Sequence, residues 1–316
     1  MITTVTLNPA VDMFFAVDSL VPGSLHRVNE MVQQPGGKGI NVAKALKSFG
    51  ISSVSTGFLG GSHGRFIREQ LQVMGLVERF IEVPFDTRVN VKILGSNAQL
   101  TELNGVQANV PNEKAWRHLE DELVASAKPD SWVSLCGSLP ANCDVTWYNK
   151  MIHKIKARGA HVLLDASDEP LRSGILAGPD MVKPNTQELS QFVHRELTTL
   201  EEVVDAAYEI VDQGVSLVIV SMGPDGLIAV TKDAIYKVTV PPVHVVSSVG
   251  AGDTLVAGLL YGQVHRLSLA ETLRFAAAAG TAAVSQIGVT QPKITHVDDI
   301  LTNVKVTLLD KKEVLQ

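Results

Sequence analysis

The stretch that decides the fold is IVDQGVSLVIVSM, residues 210–222, in which a helix-like end, a glycine and a run of branched apolar residues follow one another. The same order recurs where KALKSFG is followed by ISSVSTGFLG, LQVMG by LVERFIEV, and IKARG by AHVLLDAS. Glycine adopts the left-handed backbone of a helix end at low cost, which predicts helix ends at Gly50, Gly75, Gly159 and Gly214. Repeated helix–strand alternation with evenly apolar strands predicts an α/β fold, with a mainly parallel sheet between helices.

The helix before this stretch can be outlined in detail. In TTLEEVVDAAYEIVDQG, residues 198–214, the spacing of Thr198 and Glu201 predicts a capping box. The apolar residues that follow fall on one helical face: Leu200, Val203, Val204, Ala207, Ile210 and Val211. The sequence therefore predicts an amphipathic helix that packs one face against the sheet.

Two segments interrupt the pattern, near residues 11–32 and at 87–105. The second, TRVNVKILGSNAQLTELNG, predicts a hairpin with its tip at residues 95–97. Because neither segment is separated by a long linker, we expect a single domain over residues 1–316 with both segments inserted in it.

The first strand of that hairpin alternates polar and apolar side chains. Arg88, Asn90 and Lys92 would point to one side, and Val89, Val91 and Ile93 to the other. Taken alone, the strand favours an ordinary half-buried hairpin whose polar face is solvated. The alternative is a small β lid whose polar face lies toward a site and whose apolar face lies toward a partner subunit.

Composition excludes several classes of protein. The 316 residues carry a net charge of −6, with 45% hydrophobic and 19% charged residues, which argues against a general nucleic-acid binder. Two cysteines, Cys136 and Cys143, are too few for a disulfide scaffold. The opening MITTVTLNPAVD lacks the features of a signal peptide, and no run of about 18 apolar residues predicts a membrane span. We expect a cytoplasmic protein with no nucleic-acid or membrane partner.

A glycine-rich loop precedes the first amphipathic helix in PGGKGINVAKALKSFG, residues 35–50. Glycines let backbone N–H groups approach a ligand, and a helix N-terminus favours an anion. The loop is not a Walker A motif, because Gly39 follows Lys38 where that motif needs Ser or Thr. A tight strand–helix turn explains a single glycine-rich loop equally well.

A second glycine-rich segment is SSVGAGDTLVAG, residues 247–258. Gly250, Ala251 and Gly252 can present successive N–H groups as an anion nest at a helix N-terminus. Asp253 could simply complement the helix dipole, but that role needs no preceding glycines. An acid beside an anion nest makes sense if it accepts a proton from an attacking hydroxyl while the nest holds a phosphoryl group.

Three weaker signals lie at the ends of apolar strands, where open α/β sheets bind ligands. Asp12 in TLNPAVD could accept hydrogen bonds from sugar hydroxyls, or it could stabilise a turn. VKPNTQEL, residues 182–189, could hold Mg²⁺ on a nucleotide through oxygen ligands and water, or it could be a helix cap. VIVSMGPDG, residues 218–226, could cradle a nucleotide, although a plain turn is the simpler explanation.

Together these segments resemble the ribokinase-like carbohydrate kinases, in the phosphofructokinase B branch, over nearly the whole chain. GGKGIN at residues 36–41 and SSVGAGDTLVAG at 247–258 are similar to the two signatures of that family. KPNTQE and the Ser-x-Gly-x-x-Gly pattern of SMGPDG lie between them in the family's order. The resemblance implies a ribokinase-like fold with a small β-sheet lid, homodimers formed through the lid, and ATP with Mg²⁺ as phosphoryl donor.

The resemblance also implies a role for each matching residue. The general base would be Asp253, with the transferring phosphoryl group stabilised by Gly250, Ala251 and Gly252. The sugar phosphate would be bound by Asp12, Gly37, Lys38, Asn41, Arg88, Asn90 and Lys92. The nucleotide would be faced by Lys183, Asn185, Glu188, Ser221, Gly223 and Gly226. Asn185 and Glu188 would organise Mg²⁺ through water.

The acceptor implied by this resemblance is a phosphorylated sugar. Lys38, together with TRVNVKI at residues 87–93 and TELNG at 101–105, favours fructose 1-phosphate, which would become fructose 1,6-bisphosphate. Tagatose 6-phosphate and fructose 6-phosphate remain alternatives within the branch. A sugar-phosphate sensor that kept the fold and lost catalysis is the alternative outside enzymes.

Overall fold

The computed structural model describes residues 1–95, 99–106, 109–110, 113–285 and 291–311. Ser96 and Asn97, which belong to the predicted hairpin tip, lie outside the described residues. Within the described residues, the strands are β1 (Ile2–Thr6), β2 (Ala10–Val17), β3 (Glu30–Gly36), β4 (Ser53–Gly60), β5 (Val77–Glu78), β6 (Ile81–Val83), β7 (Arg88–Gly95), β8 (Leu100–Asn104), β9 (Trp132–Cys136), β10 (His161–Asp165), β11 (Met181–Val182), β12 (Leu217–Ser221), β13 (Leu227–Val230), β14 (Ile235–Thr239) and β15 (Lys305–Leu309).

The helices alternate with these strands through most of the chain. In the described part they are α1 (Lys38–Ser48), α2 (Gly61–Val73), α3 (Glu113–Ser126), α4 (Trp147–Lys156), α5 (Asp168–Ile175), α6 (Thr186–Val193), α7 (Leu200–Val211), α8 (Ala251–Val264), α9 (Leu269–Val284) and α10 (Ile294–Leu301). A short 3₁₀ turn covers Gly223–Asp225.

The large sheet has the strand order β15-β14-β13-β12-β11-β10-β9-β1-β4-β5, with β6 also paired to β4. The strands from β12 to β5 pair in parallel, and β13, β14 and β15 continue the sheet in antiparallel pairs. β1 lies between β4 and β9, with Ile2 opposite both Ser53 and Trp132. The prediction of a mainly parallel sheet is therefore confirmed.

Helices cover both faces of this sheet, which explains why its strands carry little alternation. The apolar core on one face joins α3, α4, α5, α6 and α7, and the core on the other face joins α1, α8, α9 and α10. All four predicted helix ends are confirmed, because Gly50, Gly75, Gly159 and Gly214 have φ values between 67° and 97°.

The predicted cap of α7 is wrong by one residue. The capping box is formed by Thr199 and Glu202, and α7 begins at Leu200. Glu202 Oε2 accepts hydrogen bonds from the backbone N–H groups of both Thr198 and Thr199, so this carboxylate closes two successive turns. Because Thr198 and Thr199 are adjacent, as are Glu201 and Glu202, the three-residue spacing of a capping box is met by either pair.

The small sheet has the order β3-β2-β7-β8 and forms a lid. β2 and β7 are parallel, with Asp12 opposite Asn90, and β7 and β8 form the predicted hairpin. The burial is the reverse of an ordinary hairpin, because Asn90 and Lys92 are only 9% and 6% exposed while their apolar neighbours are partly exposed. The expectation of a solvated polar face is therefore wrong, and the buried polar face agrees with the lid alternative, whose contact with a partner subunit stays a prediction.

Among the described residues, no helix is long and apolar enough to cross a membrane.

Candidate active site

Polar side chains gather where the parallel strands of the large sheet end. Asp165 is the last residue of β10, Lys183 directly follows β11, and Ser221 ends β12. The neighbouring strands β1 and β9 are followed by Asn8 and Ser138, which hydrogen-bond through their side chains at 3.1 Å. Parallel strands bring their carboxyl ends to one edge, so residues far apart in sequence form one cleft floor.

Asp253 lies in the first turn of α8 and is buried. Its Oδ2 accepts a hydrogen bond of 2.8 Å from Asn41 Nδ2 on α1. Burial and the charge of Asp165 raise the pKa of Asp253 to about 6, although Lys38, Asn41 and Lys183 act in the opposite direction. A carboxylate with a pKa near 6 is ionised at neutral pH and can still accept a proton.

The turn before Asp253 places a left-handed glycine at the start of α8. Gly250 caps the helix with φ 81° and ψ −2°, a conformation that favours glycine. Ala251 and Gly252 begin the helix, whose first N–H groups have no intrahelical acceptors, and the Ala251 N–H makes one long hydrogen bond of 3.4 Å to the Ser248 carbonyl. A Cβ on Gly252 would lie 3.6 Å from Lys183 Nζ, so an ammonium group stands beside these N–H groups. The helix N-terminus and the cation both favour an anion here.

Asp165 is the buried centre of an ion-pair group that sequence reasoning missed. Its Oδ1 accepts a hydrogen bond of 3.0 Å from Lys38 Nζ and lies 3.5 Å from Lys183 Nζ. Burial opposes ionisation, but the two ammonium groups outweigh it and hold the pKa of Asp165 below its usual value. We call Asp165, Lys183, Lys38, Glu188 and Asp253 the floor cluster.

Lys38 joins the floor cluster instead of the cations of the lid. Its Nζ lies 3.9 Å from Glu188 Oε1 in addition to its bond with Asp165. Burial opposes protonation, but the carboxylates of Asp165, Glu188 and Asp253 raise the pKa of Lys38 above its usual value. The structure thus separates Lys38 from Arg88 and Lys92, with which the sequence had grouped it.

Asn185 and Glu188 form a capping box at the start of α6. Asn185 Oδ1 accepts from the Glu188 N–H, and Glu188 Oε2 accepts from the Asn185 N–H. The cap fixes both side chains and leaves Glu188 Oε1 facing Lys38. The helix-cap interpretation is confirmed, and it leaves one carboxylate oxygen for another partner.

The Ser221–Gly226 turn lies next to this cap. Ser221 donates its N–H to the Pro184 carbonyl, and Ser221 forms a bridge with Asn185. Gly223 and Gly226 have φ values of 59° and 87°, so both turn residues use the left-handed region. A Cβ on Gly226 would lie 2.0 Å from the Val238 carbonyl, which leaves no room for a side chain.

The glycine-rich loop brings α1 close to β1. Gly37 has φ 120°, and a Cβ there would lie 2.6 Å from the Thr6 methyl group. A Cβ on Gly39 would lie 2.5 Å from the Val5 carbonyl. This close approach places Lys38 and Asn41, one helical turn apart, against the floor cluster.

The polar face of the lid forms a second group, which we call the lid cluster: Asp12, Arg88, Asn90 and Lys92. Asp12 Oδ1 accepts a hydrogen bond of 2.9 Å from Asn90 Nδ2, and Asp12 Oδ2 lies 3.5 Å from Lys92 Nζ. Lys92 also lies over the Phe14 ring, at 5.1 Å from its centroid. The parallel register of β2 and β7 sets these contacts.

Arg88 is the least satisfied member of the lid cluster. Within the described part of the chain, its guanidinium donates only long hydrogen bonds of 3.3 Å, to the carbonyls of Gly105 and Asn8. Its buried Nε has no acceptor among the described residues. Burial lowers the pKa of Arg88, while Asp12 opposes that shift. A guanidinium held this loosely can turn its fork toward an incoming oxyanion.

Comparison with known proteins shows the family of this chain. The family described as pfkB family carbohydrate kinase matches residues 5–296. The chain belongs to the pfkB family of carbohydrate kinases. The 1-phosphofructokinase of Bacillus subtilis is 37% identical to this kinase over 311 residues, covering 98% of the chain and all of the relative. The 1-phosphofructokinase of Haemophilus influenzae is 35% identical over 310 residues, covering 98% and 99%.

The fold of the kinase is likewise that of solved relatives. Phosphofructokinase-2 from Escherichia coli, solved in complex with substrates and products, superposes with a TM-score of 0.89 at 31% identity, covering 95% of this chain and 98% of that one. The ribokinase-like expectation is confirmed, with a mostly parallel sheet and a separate small sheet. The kinase therefore has a floor cluster that contains the buried carboxylate of Asp253 and a separate charged lid cluster, an arrangement that suits phosphoryl transfer.

Proposed function

We propose that this kinase transfers the γ-phosphoryl group of ATP to the 6-hydroxyl of fructose 1-phosphate and so forms fructose 1,6-bisphosphate. The observation that carries the proposal is the place of Asp253, a buried carboxylate hydrogen-bonded to Asn41 at the N-terminus of α8. The 1-phosphofructokinase relatives, at 35% and 37% identity over nearly the whole chain, support the same acceptor.

Asp253 acts as the general base in this proposal. The acceptor hydroxyl loses its proton to the carboxylate as its oxygen forms a bond to phosphorus, and the bond from phosphorus to the leaving diphosphate oxygen breaks. Asn41 orients the carboxylate through its 2.8 Å hydrogen bond. The pKa of about 6 keeps Asp253 ionised before the transfer at neutral pH.

The transferred phosphoryl group lies between the N-terminus of α8 and the ammonium groups of Lys183 and Lys38. The N–H groups of Gly250, Ala251 and Gly252 and these two cations face the charge that spreads over its oxygens. Lys183 stands beside Gly252, and Asp165 holds both lysines in place. Positioning and charge stabilisation supply most of the rate in such a transfer.

The acceptor lies under the lid. Arg88 and Lys92 bind its phosphate, because Arg88 has unsatisfied donors and Lys92 lies on the same buried face. Asp12, Asn90 and the backbone of Gly37 hold the sugar hydroxyls. Asn90 and Lys92 both contact Asp12. The carboxylate that accepts hydrogen bonds from sugar hydroxyls therefore keeps a fixed position relative to the cation that binds the sugar's phosphate.

The nucleotide and Mg²⁺ fit the other half of the floor. The floor cluster sets three carboxylates against two ammonium groups, so a polyphosphate fits there only with an added cation. Among the described residues, no three His, Cys, Asp or Glu side chains are arranged so that they could hold one metal ion, which fits an ion held mainly by nucleotide phosphates and water. Glu188 Oε1 and Asn185 Oδ1 would hold its water shell, and Mg²⁺ would neutralise phosphate charge. Ser221, Gly223 and Gly226 line the adjacent turn.

The decisive experiment measures ADP release from Mg²⁺-ATP with four acceptors in parallel: fructose 1-phosphate, fructose 6-phosphate, tagatose 6-phosphate and fructose. We expect the highest kcat/KM with fructose 1-phosphate and a kcat lower by about 10²–10⁴-fold in an Asp253→Asn control. Preference for a 6-phosphate would refute fructose 1-phosphate as the acceptor but would leave the mechanism of phosphoryl transfer standing. No turnover with any acceptor would favour a sugar-phosphate sensor.

The outer face of the lid supports a further part of the proposal, a homodimer formed through the lid. This face is mainly apolar, and the register places Phe15, Met31, Val91, Ile93 and Leu103 on it together with Gln33 and Thr101. Met31 and Leu103 are 53% and 59% exposed. We propose that residues 1–316 work as one kinase unit whose inserted segments, 11–32 and 87–105, meet a second copy. Light scattering should show dimers that Val91→Glu separates and Val73→Glu, on exposed α2 surface, does not.

A further inference from the structure

A cavity of about 540 Å³ lies beside α1, and none of the roles above uses it. It is bounded by residues 32–35 of β3, by the second half of α1, by the end of α2 and by Gln291. No member of the floor cluster or of the lid cluster lines it. Its volume lies within the range of about 300–1,000 Å³ that is typical of small-molecule sites.

The lining of this cavity is positively charged. Among the described residues that line it, Lys44 and Lys47 are cations and none is acidic, although the whole chain carries a net charge of −6. Four glutamine side chains add hydrogen-bond donors and acceptors to the same lining. Local cations without neighbouring carboxylates favour an anion whatever the net charge of the protein.

Lys44 is the buried cation of this lining, with a side chain only 8% exposed. Its Nζ donates a hydrogen bond of 3.0 Å to the Pro35 carbonyl, which is its one hydrogen bond to the part of the chain that the structure describes. An ammonium group has three N–H donors, so two are left for a ligand. An oxyanion in the cavity would give this buried charge the contact partner that it lacks among the described residues.

Gln34 lines the same cavity from the lid and has an unsatisfied acceptor. It lies on β3, opposite Asp12 in the register of the small sheet. Its Oε1 is buried and accepts no hydrogen bond from any described residue. A buried acceptor without a donor costs free energy, and a hydroxyl group on a ligand would be such a donor.

We propose that this cavity is a binding site for a small organic anion that carries a carboxylate or phosphate group together with a hydroxyl group. The anionic group contacts Lys44 on α1, and the hydroxyl group contacts Gln34 on β3. The ligand therefore links α1 to the edge strand of the lid. The site is separate from both proposed substrate sites and does not depend on which sugar phosphate is the acceptor.

The first test is calorimetric titration of the protein with malate and with glycerol 3-phosphate, in the presence of Mg²⁺-ADP. Binding of malate would identify a carboxylate ligand, and binding of glycerol 3-phosphate a phosphate ligand. Lys44→Met should weaken the binding by about 10–100-fold, because hydrogen bonds between charged groups are lost. The control Lys232→Met changes an exposed lysine outside the cavity and should bind as the wild type does. If neither probe binds at millimolar concentration, the cavity holds only water and the proposal is overturned.

Gln70→Trp tests the site without removing a charge, and it decides the question even if Lys44→Met does not fold. Gln70 lines the cavity from α2, so an indole there should fill the space and abolish binding of the probe. Gln72→Trp, at an exposed position on the same helix outside the cavity, is the matched control. Arg88→Ala should keep the binding, because Arg88 belongs to the lid cluster. Binding that is lost in Arg88→Ala and kept in Gln70→Trp would place the anion in the acceptor site and overturn the proposal.

Hydrogen exchange tests whether the ligand links α1 to the lid. The backbone amides of β3, Glu30–Gly36, should exchange more slowly when the bound probe holds Gln34 against Lys44. The analogue without hydroxyl groups should bind about fivefold more weakly and protect β3 less: succinate in place of malate, or propyl phosphate in place of glycerol 3-phosphate. Equal binding of the analogue, or unchanged exchange in β3 with the probe bound, overturns the assigned contact with Gln34. Inactivity of the wild type on every sugar phosphate would refute the proposed function and leave these binding results standing.

Discussion

The floor cluster is assembled from the ends of five different elements, whereas the lid cluster comes from two neighbouring strands of one small sheet. Asp165 ends β10 and Lys183 directly follows β11. The other three members lie in the first turns of α1, α6 and α8: Lys38, Glu188 and Asp253. Asp12, Arg88, Asn90 and Lys92 share one face of β2 and β7. The floor is held by the whole α/β framework, while the lid residues keep their register to one another and can approach the floor as a unit.

The two clusters also differ in charge. The floor has three carboxylates and two ammonium groups, and the lid has one carboxylate and two cations. The floor therefore needs an added cation before it can accept a polyphosphate, while the lid can accept a phosphate directly. Under the proposed function, the comparison teaches that the balance of charge on each side would direct the two kinds of phosphate to different parts of one cleft.

The largest expected effect is on kcat and comes from changing the general base, Asp253. Asp253→Asn should lower kcat by about 10²–10⁴-fold, because the amide cannot take the hydroxyl proton. The KM values for both substrates should change little. Steady-state kinetics beside the exposed control Asp298→Asn would measure this.

Asp253→Asn should not lose stability at neutral pH. The raised pKa means that the folded protein binds more protons than the unfolded chain between pH 4 and 6, so ionised Asp253 destabilises the fold above pH 6. The asparagine variant should thus melt at or above the wild-type temperature at pH 7. Near-normal turnover in this variant would remove Asp253 from the role of base.

The next effect tests whether the floor depends on its buried centre. Asp165→Asn removes the charge that holds Lys38 and Lys183, and breaking a buried ion pair typically costs about 3–5 kcal/mol. We expect a lower melting temperature together with a kcat loss of about 10²-fold, since both cations leave the transferring group. Denaturant unfolding and kinetics at saturating ATP would measure the two losses. If Asp165→Asn unfolds with the same free energy as the wild type, Lys38 and Lys183 are held in place by other contacts.

A smaller effect is expected from the lid. Arg88→Ala should raise the KM for the sugar phosphate by about 10–100-fold and leave kcat nearly unchanged, because its guanidinium contacts the unreactive phosphate. The KM for ATP should stay the same. Arg79→Ala, an exposed arginine outside the cleft, is the matched control. A kcat loss with unchanged KM would place Arg88 at the reacting phosphoryl group instead.

The smallest effect comes from pH alone. Because Asp253 must be ionised and burial raises its pKa to about 6, kcat should fall by about tenfold at pH 5 relative to neutral pH. Measurement of kcat between pH 5 and 8 with saturating substrates checks the sign and the midpoint. A flat profile down to pH 5 would mean that bound substrates restore the ordinary pKa of Asp253.

Much of the floor could be predicted from the sequence, because short motifs encode it. The glycines before Asp253 and the Asn185–Glu188 spacing are local patterns with local causes. Asp165 could not be found in this way. It is a single acid after a buried strand, and its partners lie 127 residues before it and 18 after it. A carboxylate that directly ends an apolar strand, VLLDA, was the one available signal.

The lid shows the opposite limit. Alternation in β7 correctly separated the polar from the apolar side chains, yet it could not tell which face is buried. That depends on β2 beside it and on the cleft beneath it, which a single strand does not encode.

The position of β1 in the middle of the large sheet has a consequence for synthesis of the chain. β1 needs both β4 and β9 as neighbours, and Ile2 pairs with Trp132. At a translation rate of about 5–20 residues per second, one edge of β1 stays open for roughly 6–26 seconds on the ribosome. Thr3, Thr4 and Thr6 are buried in the finished fold, whereas during this wait their hydroxyl groups can still hydrogen-bond to water. An open strand edge is a template for pairing with another chain, so β1 is open to mispairing until β9 has been made.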